Sequence, residues 1–207
     1  MMLKKKPLLL VCILVSLIVG PLQARSKPAP TAPGKYKQWG PDIDEIEIVK
    51  ALKVSEYDKI VVVPFDTSAA PLPDKSDKSY NSIKSVLEGY SLTLAEALRK
   101  ELKAKAELET ANKAPKSPKT LIIRGKVLDL SPGSRAKRYV GGFGAGAAGT
   151  KLSGEIIDAK TGNVLIRFTQ ERRSGGSFKF AGGNDMDVMR DSIHAEGQDI
   201  AHILDSF

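Results

Sequence analysis

A dense run of glycines in the second half of the chain limits what this sequence can fold into. Five of the nine residues from Gly141 to Gly149 are glycine, and three basic residues, Arg135, Lys137 and Arg138, come shortly before them. Because each glycine adds backbone entropy and no side chain, such a run cannot build a packed core. It therefore predicts an unusual loop, or a bulged strand whose glycines let a neighbouring backbone approach closely.

The same run spells GxGxxG from Gly144 to Gly149, which are the letters of a dinucleotide-binding fingerprint. That mechanism requires a helix directly after the glycines, so that a pyrophosphate meets the helix amino terminus. The residues that follow, about Lys151 to Asp158, have the pattern of a strand instead. No βαβ unit surrounds the run, and nucleotide binding is therefore not favoured.

Backbone amides between basic side chains can also hold an anion such as phosphate, sulfate or a carboxylate. The competing interpretation is that the basic residues are solvated charges at strand ends, paired with Glu155 and Glu171. A third interpretation, a small-residue face for close helix packing in a membrane, requires a longer apolar segment. The candidate binding residues are Arg135, Arg138, Tyr139, Gly142, Phe143, Gly144, Gly146 and Lys151.

The amino-terminal end has the pattern of a secretory signal peptide. Three lysines at positions 4–6 precede an apolar run from Leu8 to Gly20, and Ala24 follows as a small residue suited to cleavage. The apolar run is short for a membrane span, so we expect no transmembrane helix in the mature chain. We expect cleavage after Ala24, with Gly20 as the alternative, and a protein exported to the periplasm, where it could associate with the outer membrane.

The single cysteine, Cys12, lies inside this apolar run. The residues before it, Leu9 to Val11, lack the small side chains that lipoprotein processing requires, so we do not expect lipidation at Cys12. A chain without residues 1–24 has no cysteine for disulfides, thiolate chemistry or metal binding. Its formal charge falls from +8 to 8 − 3 = +5 with the loss of three lysines, which suits contact with acidic polymers or lipid head groups.

The region after the signal peptide has the composition of a tether. Residues 25–41 include four prolines and almost no aliphatic side chains, which predicts an extended, solvated linker. Between Asp42 and Ser55, apolar residues three apart predict a short helix, although Ile46 and Ile48 would also suit a strand. We therefore expect a signal peptide at 1–24, a proline-rich linker with a short ill-defined segment at 25–55, and a single domain at 56–207.

The domain itself has the pattern of an α+β fold. Apolar alternation predicts strands, and apolar residues on one stripe predict helices. Together they predict a small, mostly antiparallel (mixed) sheet of four to five strands with two helices packed on one face. The expected elements are strands at 59–65, 106–110, 121–130, 151–158 and 164–173, a helix from Ser82 to about Lys105, a turn at Lys160–Asn163, and a last helix that Asn184 or Asp185 caps.

Residue types that carry catalysis or bind metals do not converge in this sequence. His194 and His202 are eight residues apart on the last helix, so they cannot share a metal as an i, i+4 pair can. No GxSxG nucleophile motif is present. We therefore expect no catalytic residues, no cofactor, no metal site and no enzyme. The acids of the last helix suit its dipole and match no calcium loop; they are Asp185, Asp187, Asp191, Glu196 and Asp199.

Three segments resemble the bacterial export family known as domain of unknown function 4410. They are Tyr57–Phe65, Arg138–Gly146 and Asp158–Leu165, and the resemblance covers about Ser55 to Phe207. The GFGAG element after an arginine is its specific part. The resemblance implies an envelope location and a shape similar to the small α/β domains of periplasmic assembly factors, and it implies no reaction. This chain departs from the many lipoproteins of that family because it lacks a convincing lipidation motif.

Taken together, these features predict a non-catalytic, secreted or periplasmic envelope protein. We expect an interaction or assembly module that contacts an envelope protein or an anionic polymer through the glycine-rich loop and its basic edge. Peripheral membrane contact is compatible with the charge, and nucleic acid is not an expected partner. The alternative is an anion- or nucleotide-binding protein, or an enzyme, that uses the same loop. The sequence leaves the oligomeric state open.

Overall fold

The described part of the chain forms one mixed sheet and two α-helices in the computed structural model. The structure describes residues 28–40, 43–133, 148–174 and 185–207. The strands are β1 (Gly34–Trp39), β2 (Ile43–Ile48), β3 (Lys59–Val62), β4 (Glu107–Thr110), β5 (Thr120–Ser131), β6 (Ala148–Asp158) and β7 (Val164–Ser174). The helices are α1 (Tyr80–Glu101) and α2 (Asp185–Asp205), with a 3-10 turn at Val54–Glu56.

The seven strands lie in the order β1-β2-β7-β6-β5-β3-β4. From β1 to β5 each neighbouring pair is antiparallel, whereas β3 pairs in parallel with both β5 and β4. The predicted Lys160–Asn163 turn joins β6 to β7, and Gly162 there has a positive φ of 75°, which glycine adopts without strain. β5, β6 and β7 are 11 or 12 residues long, so they reach well past the four-residue β3 and β4.

The core lies between one face of the sheet and the two helices. The predicted stripe of α1 is buried from Ile83 to Leu98, and the predicted stripe of α2 is buried at Met189, Ile193, Ile200, Ala201 and Leu204. Burial of each large apolar side chain stabilises the fold by roughly 1.5–3 kcal/mol. The helices pack closely because Gly197 leaves room for Ala97: a Cβ at Gly197 would lie 2.7 Å from the Ala97 Cβ.

The opposite face of the sheet, called here the outer face, carries a row of alternating charges. The row crosses five adjacent strands at paired positions, and its members are Lys35, Glu47, Arg167, Glu155 and Arg124. Successive nitrogen and oxygen atoms lie 3.4, 3.1, 3.3 and 2.8 Å apart along the row. Because these side chains are partly exposed, each ion pair contributes little stability, about 0–1 kcal/mol. An open groove of about 830 Å³ runs along this face.

The fold class is correct as an α+β fold with two helices, and the predicted strand number is wrong. The sheet has seven strands among the described residues, not four to five. The two additional strands are β1 and β2, where the sequence predicts a solvated linker and a short helix. β2 pairs with β7 and buries Ile43, Ile46 and Ile48, so the strand alternative for Ile46 and Ile48 is the one observed.

The amino end of the described chain packs onto the core. Trp39 is 1% exposed, and its indole N–H donates a 2.7 Å hydrogen bond to the carbonyl of Pro30. The Trp39 ring stacks on Phe207 with a centroid distance of 6.2 Å. The predicted signal peptide at 1–24 lies outside the described residues. Within the described ranges, neither helix combines the length and apolar character needed to cross a bilayer.

Candidate functional site

The long strands β5, β6 and β7 reach the same end of the sheet. Ser131 of β5 pairs with Gly149 of β6, and Ala148 of β6 pairs with Ser174 of β7. Gly133, Ala148 and Ser174, the described residues next to segments 134–147 and 175–184, therefore lie at the same end of the sheet. We call this part of the molecule the loop-bearing end; its described residues are Leu130–Gly133, Ala148–Lys151 and Glu171–Ser174.

The chain leaves the glycine run as a strand. β6 begins at Ala148, so the last glycine of the GxGxxG letters, Gly149, already lies in the sheet. This confirms the predicted strand, and a dinucleotide fingerprint would instead need a helix at this point. Gly149 also has a packing reason: a Cβ there would lie 2.8 Å from the carbonyl oxygen of Arg172. Glycine here allows the close approach of a neighbouring backbone.

The basic residue Lys151 lies on the outer face at the loop-bearing end. Its Nζ is 3.5 Å from Glu171 Oε2 on the paired position of β7, and its side chain is 46% exposed. Arg173 also pairs with Glu171, and this guanidinium lowers the pKa of the Glu171 carboxyl. The predicted pairing of a strand-end charge with Glu171 is thus confirmed for Lys151. Glu155 pairs with Arg124 and Arg167 instead.

Of the predicted binding residues, the structure describes only Lys151. The others lie outside the described residues, so their contribution to binding is still a prediction; they are Arg135, Arg138, Tyr139, Gly142, Phe143, Gly144 and Gly146.

A cluster of buried and partly buried polar side chains lies directly under the loop-bearing end, between the sheet and the helices. It includes two carboxyl groups from the same helix, Glu196 and Asp199, which are 0% and 4% exposed. We call it the Glu196 cluster. Its members are Tyr90 on α1, Thr150 on β6, Gln170 and Arg172 on β7, and Glu196 and Asp199 on α2.

Glu196 accepts a hydrogen bond from the Tyr90 hydroxyl at Oε2, and Thr150 Oγ1 lies 3.4 Å from the same oxygen. Burial raises the pKa of Glu196 to about 8, which outweighs the lowering effect of these two hydroxyl groups. The nearby Asp199 carboxylate acts in the same direction as burial. Glu196 is therefore mostly protonated and uncharged at pH 7. Burial also raises the pKa of Tyr90 well above its ordinary value.

Asp199 has the cation that Glu196 lacks. The Arg172 guanidinium reaches it with two nitrogen atoms, Nε at 2.8 Å from Oδ2 and a terminal nitrogen at 2.5 Å from Oδ1. The Gln170 amide donates a further hydrogen bond to Asp199 Oδ2. Bidentate pairs of this kind are the strong charge-assisted hydrogen bonds of proteins. The arrangement ties α2 to β7 at the loop-bearing end.

This cluster is not among the sites that the sequence predicts above. Glu196 and Asp199, which the sequence places among acids that suit the helix dipole, point into the core. The pattern that identifies them is their spacing of three, which matches the apolar stripe of α2. His194 and His202 are both exposed. In the residues that the structure describes, no group of three metal-binding side chains comes together.

A family model described as Domain of unknown function (DUF4410) matches residues 60–175, more than half of the chain. No protein with a curated description matches the sequence.

Among solved structures, the chain is similar to the PelC dodecamer from Paraburkholderia phytofirmans, with 14% identity, 74% of this chain and 94% of that chain covered, and a TM-score of 0.44. It is also similar to the hypothetical protein CT253 from Chlamydia trachomatis, with 9% identity, coverage of 72% and 96%, and a TM-score of 0.45. A third is the lipoprotein GNA1162 from Neisseria meningitidis, with 13% identity, coverage of 70% and 98%, and a TM-score of 0.35. These likenesses are too weak to bear on function.

Proposed function

The chain belongs to the family described as domain of unknown function 4410, and we propose that it is a non-catalytic protein of the cell envelope that binds a partner at the loop-bearing end. The contact would involve the glycine-rich segment 134–147 together with the basic side chains around it. The proposed compartment is the periplasm, on the basis of the secretory pattern in residues 1–24.

One observation supports this proposal above the others. The strand pairs Ser131 with Gly149 and Ala148 with Ser174 place the strand ends that adjoin segments 134–147 and 175–184 at a single end of the sheet. Segments at one end of a rigid sheet can form one continuous contact surface, and binding residues are commonly found on connections that a rigid scaffold positions. The long β5, β6 and β7 ladders supply that scaffold.

The charges at this end favour a partner with acidic groups. Lys151 and Arg173 are exposed and both pair with Glu171, and Asp44 and Asp129 are further acids at this end. Arg135, Lys137 and Arg138 belong to the adjoining segment 134–147, which contains no acidic residue. An acidic protein surface or an anionic polymer of the envelope would complement this excess of positive charge.

The Glu196 cluster supports a structural rather than a catalytic role for the chain's unusual acids. A general acid or base must reach the substrate proton directly or through one water. Glu196 is fully buried, and Asp199 is engaged by Arg172 and Gln170. The cluster therefore fits a device that holds β6, β7, α1 and α2 together under the binding surface.

A second candidate function is anion binding by the same segment. Consecutive backbone amides and the guanidinium groups of Arg135 and Arg138 could bind phosphate or a sugar acid. The strand that begins at Ala148 disfavours a nucleotide bound at a helix amino terminus, but it leaves simple anions open.

Affinity capture from envelope fractions tests the proposed function. The wild-type chain should recover a specific partner, and Arg138→Glu and Lys151→Gln should each lose most of it. Lys160→Gln is the matched control, because Lys160 is an exposed lysine in the turn at the opposite end of β6. Equal recovery by all three variants would count against the loop-bearing end as the contact.

Thermal unfolding with added phosphate, nucleotides or sugar acids separates the two functions. A small anion at 100 times its dissociation constant should add about 2.7 kcal/mol to the stability of the folded protein. Stabilisation that Arg138→Glu abolishes, without any captured partner, would favour anion binding over partner binding.

A further inference from the structure

The seven-stranded sheet has two open edges. Among the described residues, β1 pairs only with β2 and β4 pairs only with β3. The unpaired edge of such a strand presents backbone N–H and C=O groups to which another chain can add a strand. Neither edge belongs to the loop-bearing end, so a contact here is separate from the partner site proposed above.

The two edges carry opposite charges on the same face of the sheet. Lys35 and Lys37 of β1 lie on the outer face, and their side chains are 80% and 85% exposed. Glu107 and Glu109 of β4 are exposed, and Leu108 between them points into the core. Because side chains alternate along a strand, the two glutamates lie on the outer face as well.

The residue between the charges is apolar on both edges. Tyr36 lies between the two lysines and packs against the core, as Leu108 does between the two glutamates. Each edge therefore presents a charged, an apolar and a charged residue in that order, with the apolar residue on the helix side of the sheet. β1 and β4 also run in the same direction, given the antiparallel pairings from β1 to β5 and the parallel pairings of β3.

We propose that the free edge of β1 in one copy of this chain pairs in parallel with the free edge of β4 in a second copy. Lys35 then lies beside Glu107 and Lys37 beside Glu109, with Tyr36 beside Leu108. The sheet and its helix layer continue across the contact on the same sides. Such a head-to-tail contact leaves one free edge of each type, so further copies add in the same way.

Charges on edge strands can also serve to protect a protein from aggregation. The signs of the charges on the two edges distinguish such protection from a role in assembly. Charges of one sign on both edges would repel every pairing of edges. Here the lysines oppose a β1 to β1 contact and the glutamates oppose a β4 to β4 contact, while β1 to β4 is favoured. The charges therefore oppose both pairings of like edges and permit the pairing of β1 with β4.

The contact replaces interactions that each edge makes within its own chain. Arg99 donates a 3.2 Å hydrogen bond to the carbonyl oxygen of Leu108 at the free edge of β4. A backbone N–H of the incoming β1 takes that place. Lys35 and Lys37 lie 3.4 and 3.6 Å from Glu47 and Glu45 of their own sheet, and their exposure lets them also reach the second copy.

The test is the mass of the full chain, purified as the host cell produces it, by sedimentation over a range of concentrations. Wild type should form species larger than the monomer that increase with concentration. Lys35→Glu with Lys37→Glu, and separately Glu107→Lys with Glu109→Lys, should each remain monomeric. Mixing the two double variants in equal amounts should restore assembly, because the acidic β1 then meets a basic β4 and the basic β1 meets an acidic β4.

Two further variants keep the test sound if a charge reversal disturbs folding. Thr110→Pro removes a backbone donor without a change of charge; Glu107 and Ala111 direct their N–H groups toward β3, so the N–H of Thr110 points outward. It should also remain monomeric. Glu88→Lys with Glu96→Lys, on the exposed side of α1, changes the net charge by the same amount as the double variant at Glu107 and Glu109. This control should assemble like wild type. A wild type that is monomeric at all concentrations, or a mixture that stays monomeric, would overturn the proposal.

Discussion

The Tyr90 hydroxyl of α1 donates a hydrogen bond to Glu196 Oε2 of α2, and both side chains are 0% exposed. This contact joins residues 106 positions apart at the centre of the interface between the two helices and β6. A buried carboxyl without its own cation is held in the uncharged form, because burial disfavours the charge. The stability of the protein should therefore depend on pH partly through Glu196.

The pH dependence has a definite sign. Burial raises the Glu196 pKa from 4.5 to about 8, so between these values the folded state keeps a proton that the unfolded state has lost. The contribution of Glu196 to stability is complete below about pH 4.5 and declines as the pH rises toward 8, by at most about 1.4 kcal/mol per pH unit. Glu196→Gln cannot titrate, so urea unfolding of wild type and this variant isolates the effect.

The difference in unfolding free energy between wild type and Glu196→Gln should shift against wild type from pH 5 to pH 8 and then level off. A difference that is constant with pH would show that Glu196 does not hold a proton in the folded state.

Removal of the Tyr90 hydroxyl should destabilise the fold. Tyr90→Phe leaves the ring in place and takes the closest donor from Glu196, which costs about 1–3 kcal/mol for an unsatisfied buried acceptor. Tyr80→Phe, at the less buried start of α1, is the matched control and should change the unfolding free energy by less than about 0.5 kcal/mol. Equal effects of the two substitutions would contradict the importance of the Tyr90 contact.

Two arginines of β7 should differ in their effect on stability. Arg172→Met removes the bidentate partner of the buried Asp199 and should cost about 3 kcal/mol or more. Arg167→Met removes an exposed member of the charge row and should cost under about 1 kcal/mol, less at high salt. Denaturant unfolding at low and high salt measures both. A larger loss of stability from Arg167→Met than from Arg172→Met would contradict the importance of the buried Arg172–Asp199 pair.

Two glycines inside helices should respond to alanine with opposite signs. A Cβ at Gly89 of α1 meets nothing within 4 Å, so Gly89→Ala should stabilise the protein by roughly 0.5–1 kcal/mol. A Cβ at Gly197 of α2 would lie 2.7 Å from both the Ala97 Cβ and the Leu94 carbonyl oxygen. Gly197→Ala should therefore destabilise, by about 1–3 kcal/mol, because the helices must move apart. Melting temperatures of the two variants that shift in the same direction would contradict the close packing of α1 on α2.

Local sequence patterns predicted the elements in which buried apolar residues recur at a regular spacing. The stripes of α1 and α2 and the turn at Gly162 need only nearby residues to be recognised. β1 and β2 were not recognised, because their place in the sheet depends on β7, more than 100 residues later. The spacing of three between Ile43, Ile46 and Val49 is also typical of a helix. The segment forms a strand because it pairs with β7.

Only part of the candidate site was predicted from the sequence. The strand after the glycine run followed from apolar alternation, and the pairing of a basic residue with Glu171 was one of the interpretations that the sequence left open. The Glu196 cluster was not predicted, because its partners Tyr90 and Arg172 are far from Glu196 and Asp199 in the sequence. A carboxyl group on a helix is usually exposed, and only the tertiary arrangement buries these two.

Site-specific photo-crosslinking in growing cells tests partner binding at the loop-bearing end most directly. A photoreactive residue at position 151 lies at that end, and one at position 160 lies past the other end of the same strand. The account predicts a discrete adduct of one mass from position 151 and none of that mass from position 160. No adduct from position 151, or the same adduct from both positions, would contradict it.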